Sequence, residues 1–199
     1  RVAHLVRDSA APIAPERCVV VTFTNRAANE MRARLETMIG ADRTRRLVLG
    51  TFHAVCVRFL RRWGTRLGLD PRFTIADTDD ARRLLRDVDR DAPVDATLAA
   101  ISRAKAHGWT PDELRASAQH APGSPAHTEH LALCRTYAAY QQQLRTSHAL
   151  DFDDLLLLGV RLFREHPELT THIDHVLVDE FQDTNAVQYE LLRRLSRHV

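Results

Sequence analysis

Lysine is nearly missing from this chain. Of its 28 basic residues 27 are arginine, and Lys105 stands alone in Ser102-Arg103-Ala104-Lys105-Ala106-His107. A phosphate-binding loop of the form Gly-x-x-x-x-Gly-Lys-[Ser/Thr] sets a lysine charge beside successive backbone amides. No such segment occurs here. Cysteine is scarce as well: Cys18, Cys56 and Cys134 are widely separated, an odd set without paired spacing. That pattern excludes a disulfide framework and a cysteine zinc site and suits a reducing compartment. No apolar run is long enough to span a bilayer, no signal-peptide pattern is visible, and nothing repeats. The net charge is only +2, so affinity for a polyanion must come from a local patch rather than a global basic field. The arginine excess fits a GC-rich coding sequence.

What remains is an ordinary globular composition, 44% hydrophobic and 27% charged over 199 residues, enough for one substantial core or two small ones. Periodicity divides the chain in three. Residues 1–62 alternate helix, strand, helix, strand, helix, as parallel βαβ units do. From Trp63 to about Leu150 strands nearly vanish; Phe73-Thr74-Ile75 is one short extended piece among helices. Asp79 to Asp89 sets Leu84, Leu85 and Val88 on one face, and Thr110-Pro111-Asp112-Glu113 is a capping box with proline at the first helical position. Ala121 to Pro125 reads as a loop and His130 to Leu144 as a helix. Alternation resumes with helix Phe152 to Arg164, strand His175 to Val178 and helix Asn185 to Leu195.

Four segments carry chemistry. In Val176-Leu177-Val178-Asp179-Glu180-Phe181-Gln182-Asp183-Thr184 a buried strand ends in two adjacent carboxylates, donors suited to a hard cation. The crevice at the carboxyl ends of parallel strands is where α/β sheets bind ligands. In Val21-Thr22-Phe23-Thr24-Asn25-Arg26 an apolar strand from Cys18 to Phe23 turns into a helix. Thr24 or Asn25 caps that helix, Ala28, Met31, Leu35 and Met38 form its apolar face, and Gly40 closes it. The free N–H groups at such a helix start attract phosphate, and Phe23 offers a face for base stacking. Leu47-Val48-Leu49-Gly50-Thr51-Phe52-His53 repeats the strand-to-helix corner. Leu150-Asp151-Phe152-Asp153-Asp154-Leu155 opens a helix with Asp151 as N-cap and acids in its first turn; Asp153 and Asp154 are given no catalytic role. The basic groups Arg43-Thr44-Arg45-Arg46, Arg58 to Arg66 and Arg82-Arg83 are candidate phosphate contacts. The pairs His127/His130 and His172/His175 have no further ligand at metal spacing.

These segments, in this order, resemble the superfamily 1 DNA helicases of the UvrD/Rep/PcrA type. Asp179 to Thr184 is similar to the family's Walker B motif, Val21 to Met31 to motif Ia, Gly50 to His53 to motif Ib, and Asp151 to Leu155 to the element leading back into the motor domain. The resemblance implies an α/β fold: an incomplete RecA-like P-loop NTPase sheet with an inserted all-helical subdomain. Residues 1–62 and 151–199 then belong to motor domain 1A and 63–150 to the helical 1B insertion. It implies ATP and Mg²⁺ as cofactors, with Asp179 on the metal, Glu180 and Gln182 catalytic, and Arg1, Asp179, Gln182 and Asp183 about the nucleotide. Phe23, Thr24, Asn25, Arg26, Thr51, Phe52 and His53 line a track for single-stranded DNA.

The implied whole is a 3′-to-5′ helicase acting at single-strand/duplex junctions in repair and recombination. It would work with repair-protein partners, in the bacterial cytoplasm at the nucleoid, and without a membrane. The resemblance also implies a chain that begins just after the Walker A Thr and stops short of the second motor domain, and hence a piece inactive by itself. Three alternatives stand beside it: a helicase–nuclease subunit of a break-processing complex, which shares these motifs, a non-catalytic single-strand-binding or partner-docking remnant, and a Mg²⁺-dependent nuclease using Asp151, Asp153 and Asp154, which would cleave DNA without ATP.

Overall fold

The computed structural model describes residues 1–8, 10–119 and 121–196, which form two compact units, Arg1–Pro71 with Leu158–Val199, and Arg72–Leu157. The fold class is α/β, a short parallel sheet among many helices.

The first unit is organised by β1 (Cys18–Thr22), five residues that are all buried. Three valines in succession, apolar to both faces, are the signature of a strand covered on both sides. β1 lies between β2 (Val48–Thr51) and β5 (His175–Val178), parallel to each, with Val21 opposite Gly50 on one side and Val178 on the other. The strands start together because Arg17, just before β1, forks onto Asp174, just before β5, at 2.5 and 2.6 Å. The Asp174 N–H also donates to the Arg17 carbonyl at 2.8 Å. The hydrogen bond from Arg17 to Asp174 is the main reason the guanidinium is pushed above its usual range. On the outer edge of β2, Arg58 donates to the Leu47 carbonyl (3.1 Å) and Arg32 to the Leu49 carbonyl (3.0 Å), closing two acceptors of that edge.

Each strand feeds a helix. Thr24 caps α1 (Asn25–Ile39) by accepting from the Ala27 N–H, and Thr51 caps α3 (Phe52–Trp63) by accepting from Ala54. Gly40, at φ +87°, ends α1 and is followed at once by the short α2 (Ala41–Arg46). The buried face of α1 is Ala28, Leu35 and Ile39, with Met31 half-buried. Met38, expected on that face, is exposed: after Leu35 the stripe steps by four residues to Ile39, as 3.6 residues per turn require. Gly159 touches α3 so closely that a Cβ there would lie 2.8 Å from the Cys56 sulfur. Burial pushes the Cys18 and Cys56 thiols up to about 12, which makes both inert core groups.

The second unit joins β3 (Thr74–Ile75) and β4 (Ala149–Leu150) in parallel and gathers four helices, α4 (Thr78–Val88), α5 (Val94–Ala106), α6 (Pro111–Ala116) and α7 (Pro125–Thr146). Ser124 caps α7 with Pro125 at its first position, so the helix begins five residues before His130. The core is Leu85, Ile101, Leu114, Tyr137, Tyr140 and Leu144 with smaller neighbours. Lys105 lies inside it, fully buried, 2.6 Å from Asp151 and 2.8 Å from Asp154 at the start of α8 (Phe152–Glu165). Tyr140 donates to Asp151 and Gln141 to Asp154, while each of the two aspartates accepts the other's backbone N–H. The lone lysine is thus a structural cation holding two carboxylates.

Two carboxylates share one ammonium there, and burial raises the Asp154 carboxyl from 3.8 to about 6, with Lys105 opposing and Asp151 adding to the rise. The folded state therefore holds this proton more tightly than the unfolded chain does. The stabilisation is complete below about pH 4 and is lost as pH rises through about 6. The stability of the wild type relative to Asp154→Asn is expected to fall between these limits by on the order of 3 kcal/mol, because a tenfold change in proton affinity is worth about 1.4 kcal/mol. Urea unfolding at fixed ionic strength measures it, and a difference that stays flat over that window refutes the assignment. Lys105→Met, which leaves the carboxylates buried without their cation, is expected to cost roughly 3–5 kcal/mol near neutral pH.

Candidate active site at the carboxyl edge of the sheet

Because Thr22 is opposite Thr51, and Val21 is opposite Val178, the three strands of the first unit end level. The residues that follow them, Phe23-Thr24, Phe52-His53 and Asp179-Glu180, all leave the sheet at this one edge. The Asp179 N–H still donates to the Val21 carbonyl at 3.0 Å, so its backbone belongs to the sheet while its side chain is exposed. Among the described residues no hydrogen bond or ion pair engages the Asp179 carboxylate.

The chain then turns sharply. Glu180 adopts the left-handed conformation (φ 54°, ψ 47°), and Phe181–Asp183 form one tight helical turn behind it. The Asp183 N–H donates to the Glu180 carbonyl at 3.0 Å, and the Gln182 side-chain amide donates to the Glu180 carboxylate at 2.5 Å. Asn185 then forms a reciprocal capping box with Gln188 and starts α9 (Ala186–Leu195), whose Tyr189 meets the exposed Phe181 edge-on at 6.1 Å. A non-glycine residue in this conformation carries strain on the order of 1–3 kcal/mol, a feature concentrated at active sites.

At the other two strand ends, Phe23 is half-buried and meets Phe52 edge-to-face at 5.3 Å. Phe52 itself is only 2% exposed. It therefore offers no stacking face, and its expected place on the track is corrected to a buttress beneath Phe23. Thr24, Asn25 and Arg26 are exposed, with Arg26 paired to Glu30 at 2.9 Å; Thr51 and His53 are half-buried. Asp183 is exposed beside Gln182. Arg1 stands apart: no hydrogen bond or ion pair joins it to Asp179, Glu180, Gln182 or Asp183 among the described residues.

The candidate phosphate-binding arginines are largely engaged within the protein. Arg45 pairs with Asp42, Arg46 with Glu16, Arg66 with Glu168, Arg82 with Asp79 and Asp95, and Arg83 with Asp80. Arg58 and Arg61 donate to backbone carbonyls, and Arg62 lies over the Trp63 ring. Charge is nonetheless divided unevenly. The unit bearing the strand ends has 18 basic and 13 acidic residues, whereas the helical unit has 10 and 13. His172 packs on Trp63 and its imidazole is lowered mainly by burial; His130 bonds the Leu114 carbonyl. No group of three metal-ligating side chains occurs among the described residues.

The family model for the UvrD/REP helicase N-terminal domain matches residues 1–199. The chain belongs to the UvrD/REP helicase family. Among curated relatives, the ATP-dependent DNA helicase PcrA of Leuconostoc citreum is 37% identical over 99% of this chain, and those of Staphylococcus epidermidis and Staphylococcus aureus are 34% identical over 98%. In each case the chain spans 27% of the relative's length.

Within this UvrD/REP domain, sequence reading overlooked three long-range pairings: Arg17 with Asp174 and Arg32 on the Leu49 carbonyl in the first unit, and Lys105 with Asp151 and Asp154 in the second. Lys105 had a readable signal. It follows Ile101 and Ala104 at helical spacing on the apolar face of α5, where a charge requires a partner. Gly tolerates the left-handed region without cost. Replacement Glu180→Gly is expected to be about 1 kcal/mol more stable than Glu180→Ala. Thermal unfolding of the pair decides, and equal stability would mean an unstrained corner.

Proposed function

We propose that this chain supplies the nucleotide-hydrolysing and DNA-tracking elements of an ATP-dependent helicase that moves 3′ to 5′ along single-stranded DNA, opening duplex at junctions during repair. In this reading residues 1–62 and 151–199 are the RecA-like domain 1A, and 63–150 the 1B insertion. The observation that carries the reading is the level termination of β1, β2 and β5, which sets the Asp179-Glu180 pair and two capped helix starts on one edge.

Each residue has a part that its chemistry suits. Asp179 presents an exposed carboxylate on rigid backbone. Mg²⁺ takes oxygen donors and is held by one or two carboxylates together with substrate phosphates and water, so a single aspartate fits where the described residues form no all-protein cage. When bound, the cation neutralises charge on the β- and γ-phosphates. Glu180 accepts a proton from the attacking water as that oxygen bonds to the γ-phosphorus and the bond from phosphorus to the β,γ-bridging oxygen breaks, releasing ADP and phosphate. Gln182 and Asp183 flank this carboxylate, and Arg1 serves the nucleotide from outside the turn.

Thr24 and Asn25, at the start of α1, together with Thr51 and His53, meet the DNA backbone. Phe23 stacks on a base with Phe52 behind it, and Arg26 faces a phosphate. The setting is the bacterial cytoplasm at the nucleoid, with repair proteins as partners. No described helix is long and apolar enough to cross a membrane.

The test is phosphate release from ATP by the complete gene product, with and without single-stranded DNA. Strong stimulation that collapses in Glu180→Gln is expected. Absence of stimulation in the wild type would instead leave a non-catalytic DNA-binding remnant. In the same protein, Phe23→Ala is expected to weaken single-strand binding by roughly 5- to 100-fold, equivalent to the 1–3 kcal/mol of one stacked base. Phe52→Ala is expected mainly to lower stability, by roughly 3–5 kcal/mol. Fluorescence anisotropy and thermal unfolding separate the two effects.

A further inference from the structure

Glu180 combines a constrained backbone with a side chain held by a single hydrogen bond. Its main chain is fixed on both sides, by the Asp179 N–H on the Val21 carbonyl and by the Asp183 N–H on its own carbonyl. Its side chain is exposed, and among the described residues the one group hydrogen-bonded to the carboxylate is the Gln182 amide, on Oε2. An exposed glutamate with three free torsions samples many orientations, whereas a general base must present one oxygen to one water. Gln182 is itself placed by the turn Phe181–Asp183, which Thr184 closes by donating both its N–H (3.2 Å) and its hydroxyl (2.9 Å) to the Phe181 carbonyl.

We infer that Gln182 is a positioning residue that acts on ATP hydrolysis through Glu180, fixing Oε2 so that Oε1 faces the attacking water. The inference rests on the hydrolytic reading of the site given above. An amide suits the task better than a cation. It donates one directed hydrogen bond and leaves the carboxylate its charge, whereas a lysine or arginine there would neutralise the base. No proton is gained or lost at Gln182, and the water's proton still goes to Glu180.

The test is a double-mutant cycle in the complete gene product, reading single-strand-stimulated kcat and KM for ATP. Gln182→Met keeps the length and removes the donor, and is expected to lower kcat by roughly 10- to 100-fold with KM within about twofold. Gln182→Glu, which sets a second carboxylate against the first, is expected to fall at least as far. In a Glu180→Gln background Gln182→Met is expected to change kcat less than about twofold, because the group it positions is gone. Gln182 is exposed, so thermal stability and nucleotide-free DNA affinity are expected to match wild type.

Additive losses in the double mutant, or a raised KM with unchanged kcat, would overturn the inference by showing that Gln182 meets the nucleotide directly. A Gln182→Met enzyme as fast as wild type, with Glu180→Gln inactive, would overturn it while leaving the hydrolytic reading intact. A wild type without stimulated turnover would bring down that reading first.

Discussion

The structure of the first unit depends on the burial of β1 on both sides. Five buried residues cannot leave backbone groups unpaired, so β1 is paired on both sides, with β2 along Val19–Thr22 and with β5 along Cys18–Val21. Parallel pairing then fixes where each neighbour stops. Asp179 is held by its N–H to the Val21 carbonyl, and Thr51 by its register with Thr22. The candidate side chains of Asp179 and Glu180 consequently stand at, and one residue past, the last shared hydrogen bond. They are exposed because the sheet has ended, and fixed because it ended one residue earlier. The Arg17–Asp174 fork holds the register from the opposite end, nearly the length of the strand away from any chemistry.

The helical unit solves a different problem with one costly interaction. A chain that leaves a domain and returns to it must start its returning helix at a defined place. Here Asp151 and Asp154 do this by binding Lys105 and capping one another's backbone. A buried triad of this kind adds little net stability over apolar packing, but no alternative register of α8 could satisfy the lysine. The tyrosine rings of Tyr137 and Tyr140, 5.8 and 5.5 Å from the ammonium, complete its surroundings.

Much of this is legible in the chain itself. The valine run of β1, the caps Thr24 and Thr51, the box at Thr110 and the strand from His175 to Val178 are local signals, and local signals survive into the fold. The Asp-Glu corner is readable as a motif, yet not its left-handed twist, since nothing in the sequence forces Glu180 there without β1 to hang from. The misplacement of Met38 comes from extending a stripe by three residues where the helix requires four. Phe52 is expected on the track only because Gly50 to His53 resembles motif Ib, and a motif does not report burial. In the fold it is buried and meets Phe23, which comes from another strand end. Long-range pairs such as Arg32 with Leu49, or Lys105 with two residues more than forty positions away, leave no trace in a local window beyond an unpartnered charge on an apolar face.

The distribution of charge follows from the same division of labour. Most arginines of the strand-end unit are occupied by carboxylates, carbonyls or rings, so few of them are left to grip a ligand. In the proposed function the edge passes nucleic acid along, and such a site cannot hold it with many independent ion pairs, since each phosphate contact adds to the barrier against moving on. Helix N-termini and an aromatic face bind without a full charge, and their hold on a given nucleotide is weaker and easier to exchange. The residual excess of five positive charges on the strand-end unit, against three negative on the other, biases where a polyanion approaches without fixing it there. The acidic corner needs this restraint too under the proposed function: a free arginine beside Asp179 or Glu180 would pair with it and occupy the proposed metal ligand or the proposed base.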